Sequence, residues 1–133
     1  MDYERAALTL LRNFEYTNAM PKSQEETGDA LRQFKAGVFQ VLAHPTRIHI
    51  IECLREGELP VSAILEQIAI EPANASQHLA VLRSKGLVAN RKEGNQVFYS
   101  LRDPMLIEVL DAMRAYFRRH LEESLAMLKE MGE

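Results

Sequence analysis

Residues 72–86, Pro-Ala-Asn-Ala-Ser-Gln-His-Leu-Ala-Val-Leu-Arg-Ser-Lys-Gly, constrain this chain more than any other stretch. Ala75, Leu79 and Leu82 recur at i, i+4 and i+7, the spacing of one helix face, while Asn74, Ser76, Gln77 and Arg83 fall on or beside the opposite face. A helix that is apolar on one side and carries short polar donors on the other, with a cation near its end, suits a DNA major groove. Asn and Gln can bond bidentately to adenine there, and Ser can donate or accept. Ala73 and His78 lie in the same stretch and join Asn74, Ser76, Gln77 and Arg83 as candidate DNA contacts. The rest of the chain must then bury one face of this helix and leave the other open.

The preceding segments read as its scaffold. Ser23-Gln24-Glu25-Glu26 has the form of a capping box, in which hydroxyl and carboxylate satisfy each other's backbone donors, so a helix is expected over residues 24–43. Its second half, with Phe34, Val38, Phe39, Val41 and Leu42, is apolar over more than one stripe and calls for partners on two sides. Pro45 in His44-Pro45-Thr46-Arg47 opens a second helix, because proline presets φ and has no amide hydrogen to leave unpaired. Ile48, Ile51 and Leu54 form its inner stripe, and Gly57 is placed to end it. Pro60 opens a third helix, to about residue 68, with Val61, Ile64, Leu65 and Ile68 inward. A turn over residues 69–71 then makes this helix and the next a helix-turn-helix.

After Gly86 the period changes from that of a helix to two. Residues 87–92 and 96–101 flank Glu93-Gly94-Asn95, and Val97, Tyr99 and Leu101 alternate with Gln96, Phe98 and Ser100, the pattern of a β-hairpin. Arg91, Lys92, Asn95 and Gln96 near its tip suit phosphates or the minor groove. The fold class is therefore mainly α with a small β-hairpin, a winged helix-turn-helix. Asp103-Pro104 starts a last long helix, to about residue 131, in which Ile107, Leu110, Phe117, Leu121, Leu125, Leu128 and Met131 recur at spacings of three, four and seven. So much apolar surface exceeds what a small core can cover. The expected solution is a two-fold dimer through this helix and the first, with Phe34, Val38, Leu110, Phe117, Leu121, Leu125 and Leu128 at the interface; the alternative is a helix folded back on its own subunit. Residues 1–22 read as an N-terminal extension, helical from the spacing of Tyr3, Ala7, Leu10, Leu11 and Phe14, and residues 23–133 as the winged helix-turn-helix domain.

Bulk properties are those of an ordinary soluble globular protein. With 133 residues, 47% apolar and 26% charged, the chain is of single-domain size and ordinary globular composition. It has no apolar run of the roughly 20 residues a membrane span needs. The lone Cys53 rules out an internal disulfide and fits a reducing compartment, so the cytoplasm is the expected location. A net charge of −3 argues against nucleic acid at first sight, but its distribution answers the objection. Residues 72–102 hold five cations (Arg83, Lys85, Arg91, Lys92, Arg102) and one acid (Glu93), against 11 cations and 18 acids elsewhere. A local positive surface on an acidic body can bind DNA while discouraging non-specific adhesion.

The run from Phe39 through His44-Pro45-Thr46-Arg47 to Ile51, then Val61-Ser-Ala-Ile-Leu, Ser76-Gln-His-Leu-Ala-Val-Leu-Arg, Gly86-Leu-Val and Val97-Phe-Tyr-Ser-Leu, resembles the ArsR/SmtB family of bacterial transcriptional repressors. The resemblance spans about residues 31–121. It implies a homodimer on an inverted-repeat operator, released by an inducer, with Ser76 and Gln77 at base-contact positions and Arg91 and Lys92 on the wing. Many members sense metals, but the family's Cys-x-Cys position reads Pro60-Val61-Ser62 here, which excludes soft thiolate ligation. Of the family's zinc and nickel site on the last helix, His120 and Glu123 supply half, while Val109 and Ile107 stand where an Asp-x-His pair would be. They remain weak candidates, and no metal or cofactor is expected. Sulfur-sensing relatives use two cysteines, and Cys53 reads as a small packed residue. No glycine-rich phosphate loop, nucleophile elbow or convergent catalytic set is present, so no enzyme is expected. The expected partners are double-stranded DNA, a second copy of the chain and an inducer of non-metal type. The alternatives are a winged-helix dimer acting through protein or small-ligand binding, and a metal sensor with a non-standard site.

Overall fold

The computed structural model describes residues 24–132. The helix expected within residues 1–22 and the capping box begun by Ser23 lie outside them. In chain order the elements are α1 (Gln24–Leu42), α2 (Pro45–Cys53), β1 (Leu59–Pro60), α3 (Val61–Gln67), α4 (Pro72–Ser84), β2 (Val88–Glu93), β3 (Gln96–Leu101) and α5 (Met105–Met131). Two compact units divide between Arg102 and Asp103.

In the first unit, α3 and α4 form the helix-turn-helix, and β2 and β3 the wing. Its core is one cluster: Val41 and Leu42 at the end of α1, Ile50, Ile51 and Leu54 of the α2 segment, Ile64 and Ile68 around α3, Ala75, Leu79 and Leu82 of α4, then Leu87, Val88 and Tyr99. Burying one such Leu or Ile stabilises the fold by about 1.5–3 kcal/mol. All three members of the expected α4 stripe are in this core.

The structure corrects several details of the sequence reading. In α2 the fully buried pair is Ile50 and Ile51, whereas Ile48 is only half-buried. The helix also ends earlier than Gly57: its last turn closes with Leu54 N donating to Ile51 O at 3.1 Å, and Gly57 lies in the turn beyond. The wing is part of a three-stranded antiparallel sheet of order β1-β3-β2. The added edge strand is two residues long and contains Pro60, and proline is tolerated in a sheet only at such an edge. Glu93 pairs with Gln96, so the hairpin loop is Gly94-Asn95 alone. Gly94 takes φ 60°, as a tight hairpin turn that matches strand twist requires.

The second unit is α5, 27 residues or about 40 Å long. It starts two residues after Asp103, whose carboxylate still caps it by accepting from Met105 N at 2.9 Å. Phe117, Leu121, Leu125 and Leu128, spaced along one side, are all exposed in the single chain.

Candidate nucleic-acid interface

The recognition helix α4 is delimited at both ends by local chemistry. Pro72 occupies its first turn. At the other end Gly86 N donates to Arg83 O and Leu87 N to Leu82 O, both at 3.0 Å, closing the paired bonds of a Schellman cap. Gly86 takes φ 72°, the left-handed conformation that such a cap needs. Leu82 and Leu87 are both buried at this junction, so the helix end and the entry to β2 are fixed together.

With Ala75, Leu79 and Leu82 inward, Gln77, Ala73 and, in the last turn, Ser84 lie farthest from the core, since successive residues advance about 100°. Ser76 and Asn74 flank Gln77 on its two sides. Ala73, Asn74, Ser76, Gln77 and Arg83 are all exposed. Ser76 borders an open cleft of about 400 Å³ between α4 and the wing, which has an apolar lining that includes Val61, Leu79, Val97 and Tyr99, and polar groups from Ser62, Ser76, Asn95 and Gln96. The structure thus brings Ser76 of α4 and Asn95 and Gln96 of the wing tip to one cleft.

His78, for which the sequence leaves packing, a phosphate contact and base reading open, is placed apart from the exposed polar residues of α4. It is half-buried, on the Asn74 side of α4 and close to the core stripe. Its ring centroid lies 4.3 Å from that of His44, and its Nδ1 accepts from Arg47 Nε at 3.3 Å. Arg47 also donates through Nη1 to Val41 O at 2.9 Å, and His44 Nδ1 accepts from Thr46 N at 3.2 Å as the cap of α2. Burial first, then the His44 ring and the Arg47 guanidinium, push the His78 pKa down. The cluster joins the α1–α2 junction to the recognition helix. The sequence offers no signal for this contact: 31 residues separate Arg47 from His78, and no helical or strand spacing joins them.

The two wing cations also separate. Lys92 is exposed and has no ion-pair partner among the described residues. Arg91 lies 4.5 Å from the Phe98 ring centroid and is held by Glu58 and Glu93, two carboxylates the sequence reading did not connect with it. On α5, His120 and Glu123 are exposed one turn apart, and among the described residues no three His, Cys, Asp or Glu side chains gather as a metal-holding group. Cys53 is half-buried, and burial together with the Glu52 carboxylate pushes its thiol pKa up, away from the reactive thiolate.

A family model described as a helix-turn-helix domain matches residues 42–91, from the end of α1 into β2. The chain is 38% identical over 104 residues to Rv0081 of Mycobacterium tuberculosis, an uncharacterized HTH-type transcriptional regulator, covering 77% of this chain and 91% of that one. The crystal structure of Rv0081 superimposes with a TM-score of 0.65 at 40% identity, over 71% of this chain and 96% of that chain. The biofilm growth-associated repressor of Xylella fastidiosa strain Temecula1 is 31% identical over 75% of this chain and 88% of its own. A solution structure from Mycobacterium bovis, described as a homodimeric winged helix-turn-helix DNA-binding domain of a possible ArsR-family regulator, matches with a TM-score of 0.66 at 29% identity, covering 78% of this chain and 95% of that one. By its motifs, its architecture and these relatives, the chain belongs to the ArsR/SmtB family of winged helix-turn-helix transcriptional regulators.

Proposed function

We propose that this protein is a homodimeric repressor that binds an inverted-repeat operator through α4 and the wing, and that a signal other than a metal releases it. The observation that carries this reading is the exposed Gln77 on the face of α4 opposite its buried stripe, flanked by the exposed Asn74 and Ser76, beside a wing tip presenting Lys92, Asn95 and Gln96. In the assigned roles Gln77 and Asn74 read base edges, Ser76 donates or accepts at the groove edge, and Arg83 and Lys92 meet phosphates. Two such helices in a two-fold dimer would enter successive major grooves about 34–36 Å apart. The exposed Phe117, Leu121, Leu125 and Leu128 of α5, with the half-buried Leu110 and with Phe34 and Val38 of α1, supply the dimer surface; the homodimeric state of the M. bovis domain supports this. Double-stranded DNA and a second copy of the chain are the partners, no catalytic residue is assigned, and the compartment is the one that holds the chromosome. Residues 23–133 act as one functional domain in this reading.

The test is a salt-dependent anisotropy titration with DNA from upstream of the protein's own gene, with and without zinc, nickel and a thiol oxidant. Tight, salt-sensitive binding that none of the three relieves is the expected result. Release by zinc or nickel would instead give His120 and Glu123 a ligand role. Absence of binding at every salt concentration would favour a protein-binding module.

A further inference from the structure

The wing places two cations side by side in sequence, yet the pleat of β2 sends them to opposite faces of the sheet. Arg91 is in register with Phe98, and Lys92 with Val97. Residues paired across a ladder share a face, and alternate residues along a strand share a face, so Lys92 lies with Val97 and the buried Tyr99 on the side that borders the cleft next to Ser76. Arg91 lies on the outer side with Phe98 and Glu93.

On that outer side Arg91, its side chain half exposed, is held by two carboxylates. Its Nε donates to both Glu58 oxygens at 3.0 and 2.8 Å, its Nη2 to Glu58 Oε1 at 2.5 Å, and its Nη1 to Glu93 Oε2 at 2.6 Å. The guanidinium plane covers Phe98 of the middle strand, so one side chain from β2 spans β3 to reach the residue preceding β1. From Glu58 the chain runs through Leu59 and Pro60 directly into α3. The contact therefore ties the wing to the start of the helix-turn-helix, which sets where the wing tip stands relative to α4. It also consumes the charge: one guanidinium faces two carboxylates, a net −1 that repels phosphate. Hydrogen bonds from Arg91 keep the Glu58 carboxyl below its ordinary pKa, which favours the ionised pair.

We propose that Glu58 is a positioning residue for DNA recognition: it holds Arg91 across the sheet to fix the wing, and Lys92 alone is the wing's phosphate cation. The proposal rests on the DNA-binding reading above. It departs from the sequence expectation that Arg91 and Lys92 act together on phosphate.

The test measures operator affinity against NaCl concentration for the wild-type protein and four single variants, with a thermal melt of each to establish that it is folded. Lys92→Ala is expected to weaken binding on every DNA sequence and to reduce the slope of log affinity against log salt by about one. Glu58→Gln and Arg91→Ala are expected to weaken operator binding several-fold while leaving the slope at the wild-type value. Arg91→Lys is the discriminating variant, because it keeps the charge and loses the planar fork that grips a carboxylate. It should behave like Arg91→Ala if the residue fastens the wing.

Three results would overturn the proposal: Arg91→Ala lowering the slope by about one, Glu58→Gln tightening binding with a steeper slope, or Glu58→Gln and Arg91→Ala both matching wild type. The first makes Arg91 a phosphate contact, the second makes Glu58 its mask, and the third makes the cluster a solvated ornament. Each presupposes salt-dependent binding by the wild-type protein. Absence of that binding would remove the DNA-binding reading itself, and this proposal with it.

Discussion

Arg47 donates through Nε to Nδ1 of His78 at 3.3 Å, and this bond favours the neutral form of a histidine on the recognition helix. An arginine nitrogen can only donate, so the contact suits a ring with its lone pair on Nδ1 and its proton on Nε2. His44 beside it caps α2, its Nδ1 accepting from Thr46 N. Protonating His78 costs its hydrogen bond from Arg47 and adds charge next to that guanidinium.

A pH dependence follows from this cluster. His78 has a folded pKa below its ordinary 6.5, through burial first and then His44 and Arg47. As pH falls past 6.5 the unfolded chain takes up a proton that the folded chain resists, so the unfolded state gains. The stability His78 contributes is fully present above 6.5 and is lost as pH falls toward the lower folded value. Thermal melts of the wild type should therefore drop across this window, and His78→Gln should drop less. Parallel pH profiles for the two proteins would show that the histidine is not the titrating group.

Gln77 is exposed on the side of α4 away from its buried stripe, and the proposed reading gives it a base edge. Gln77→Ala should weaken the cognate operator by roughly 1–3 kcal/mol and random DNA hardly at all. Competition titrations against both sequences measure the difference; equal losses would assign the side chain to the backbone.

Gly86 at φ 72° closes the recognition helix and starts the wing. A Cβ there meets only Arg102 Nη1 at 3.5 Å, so crowding is minor and the cost is conformational. Gly86→Ala should destabilise the fold by about 1–2 kcal/mol, the penalty of a side chain in the left-handed region. Urea unfolding with an unchanged midpoint would contradict that requirement.

Leu121 and Leu125 are 47% and 52% exposed in the single chain, so charging them disturbs little within it. The double change Leu121→Glu and Leu125→Glu should convert dimer to monomer in sedimentation and abolish tight operator binding. Each leucine buried at the interface contributes about 1.5–3 kcal/mol, and two-fold symmetry counts it twice. A dimer that persists would move the interface away from this side of α5.

The elements that were legible in the sequence are those set by local periodicity and local caps. Ala75, Leu79 and Leu82 predicted a core stripe that is buried as spaced, and the alternation around Gly94 predicted the hairpin. Asp103 was identified as a cap, and it is one despite a boundary one residue removed. The exposed positions of Asn74, Ser76 and Gln77 follow from the same stripe by subtraction.

What only the tertiary structure decided are the contacts between segments distant in sequence, which periodicity does not encode. His78 belongs to a cluster with His44 and Arg47 because α4 packs on α2; spacing alone leaves packing, a phosphate contact and base reading open for it. Arg91 and Lys92 looked like one basic pair because they are adjacent. Their division depended on the strand register and on Glu58, 33 residues before Arg91, arriving at the same face of the sheet. Local preference selects helix, strand and turn, but the partner of a long polar side chain is set by which element the folded core brings alongside it.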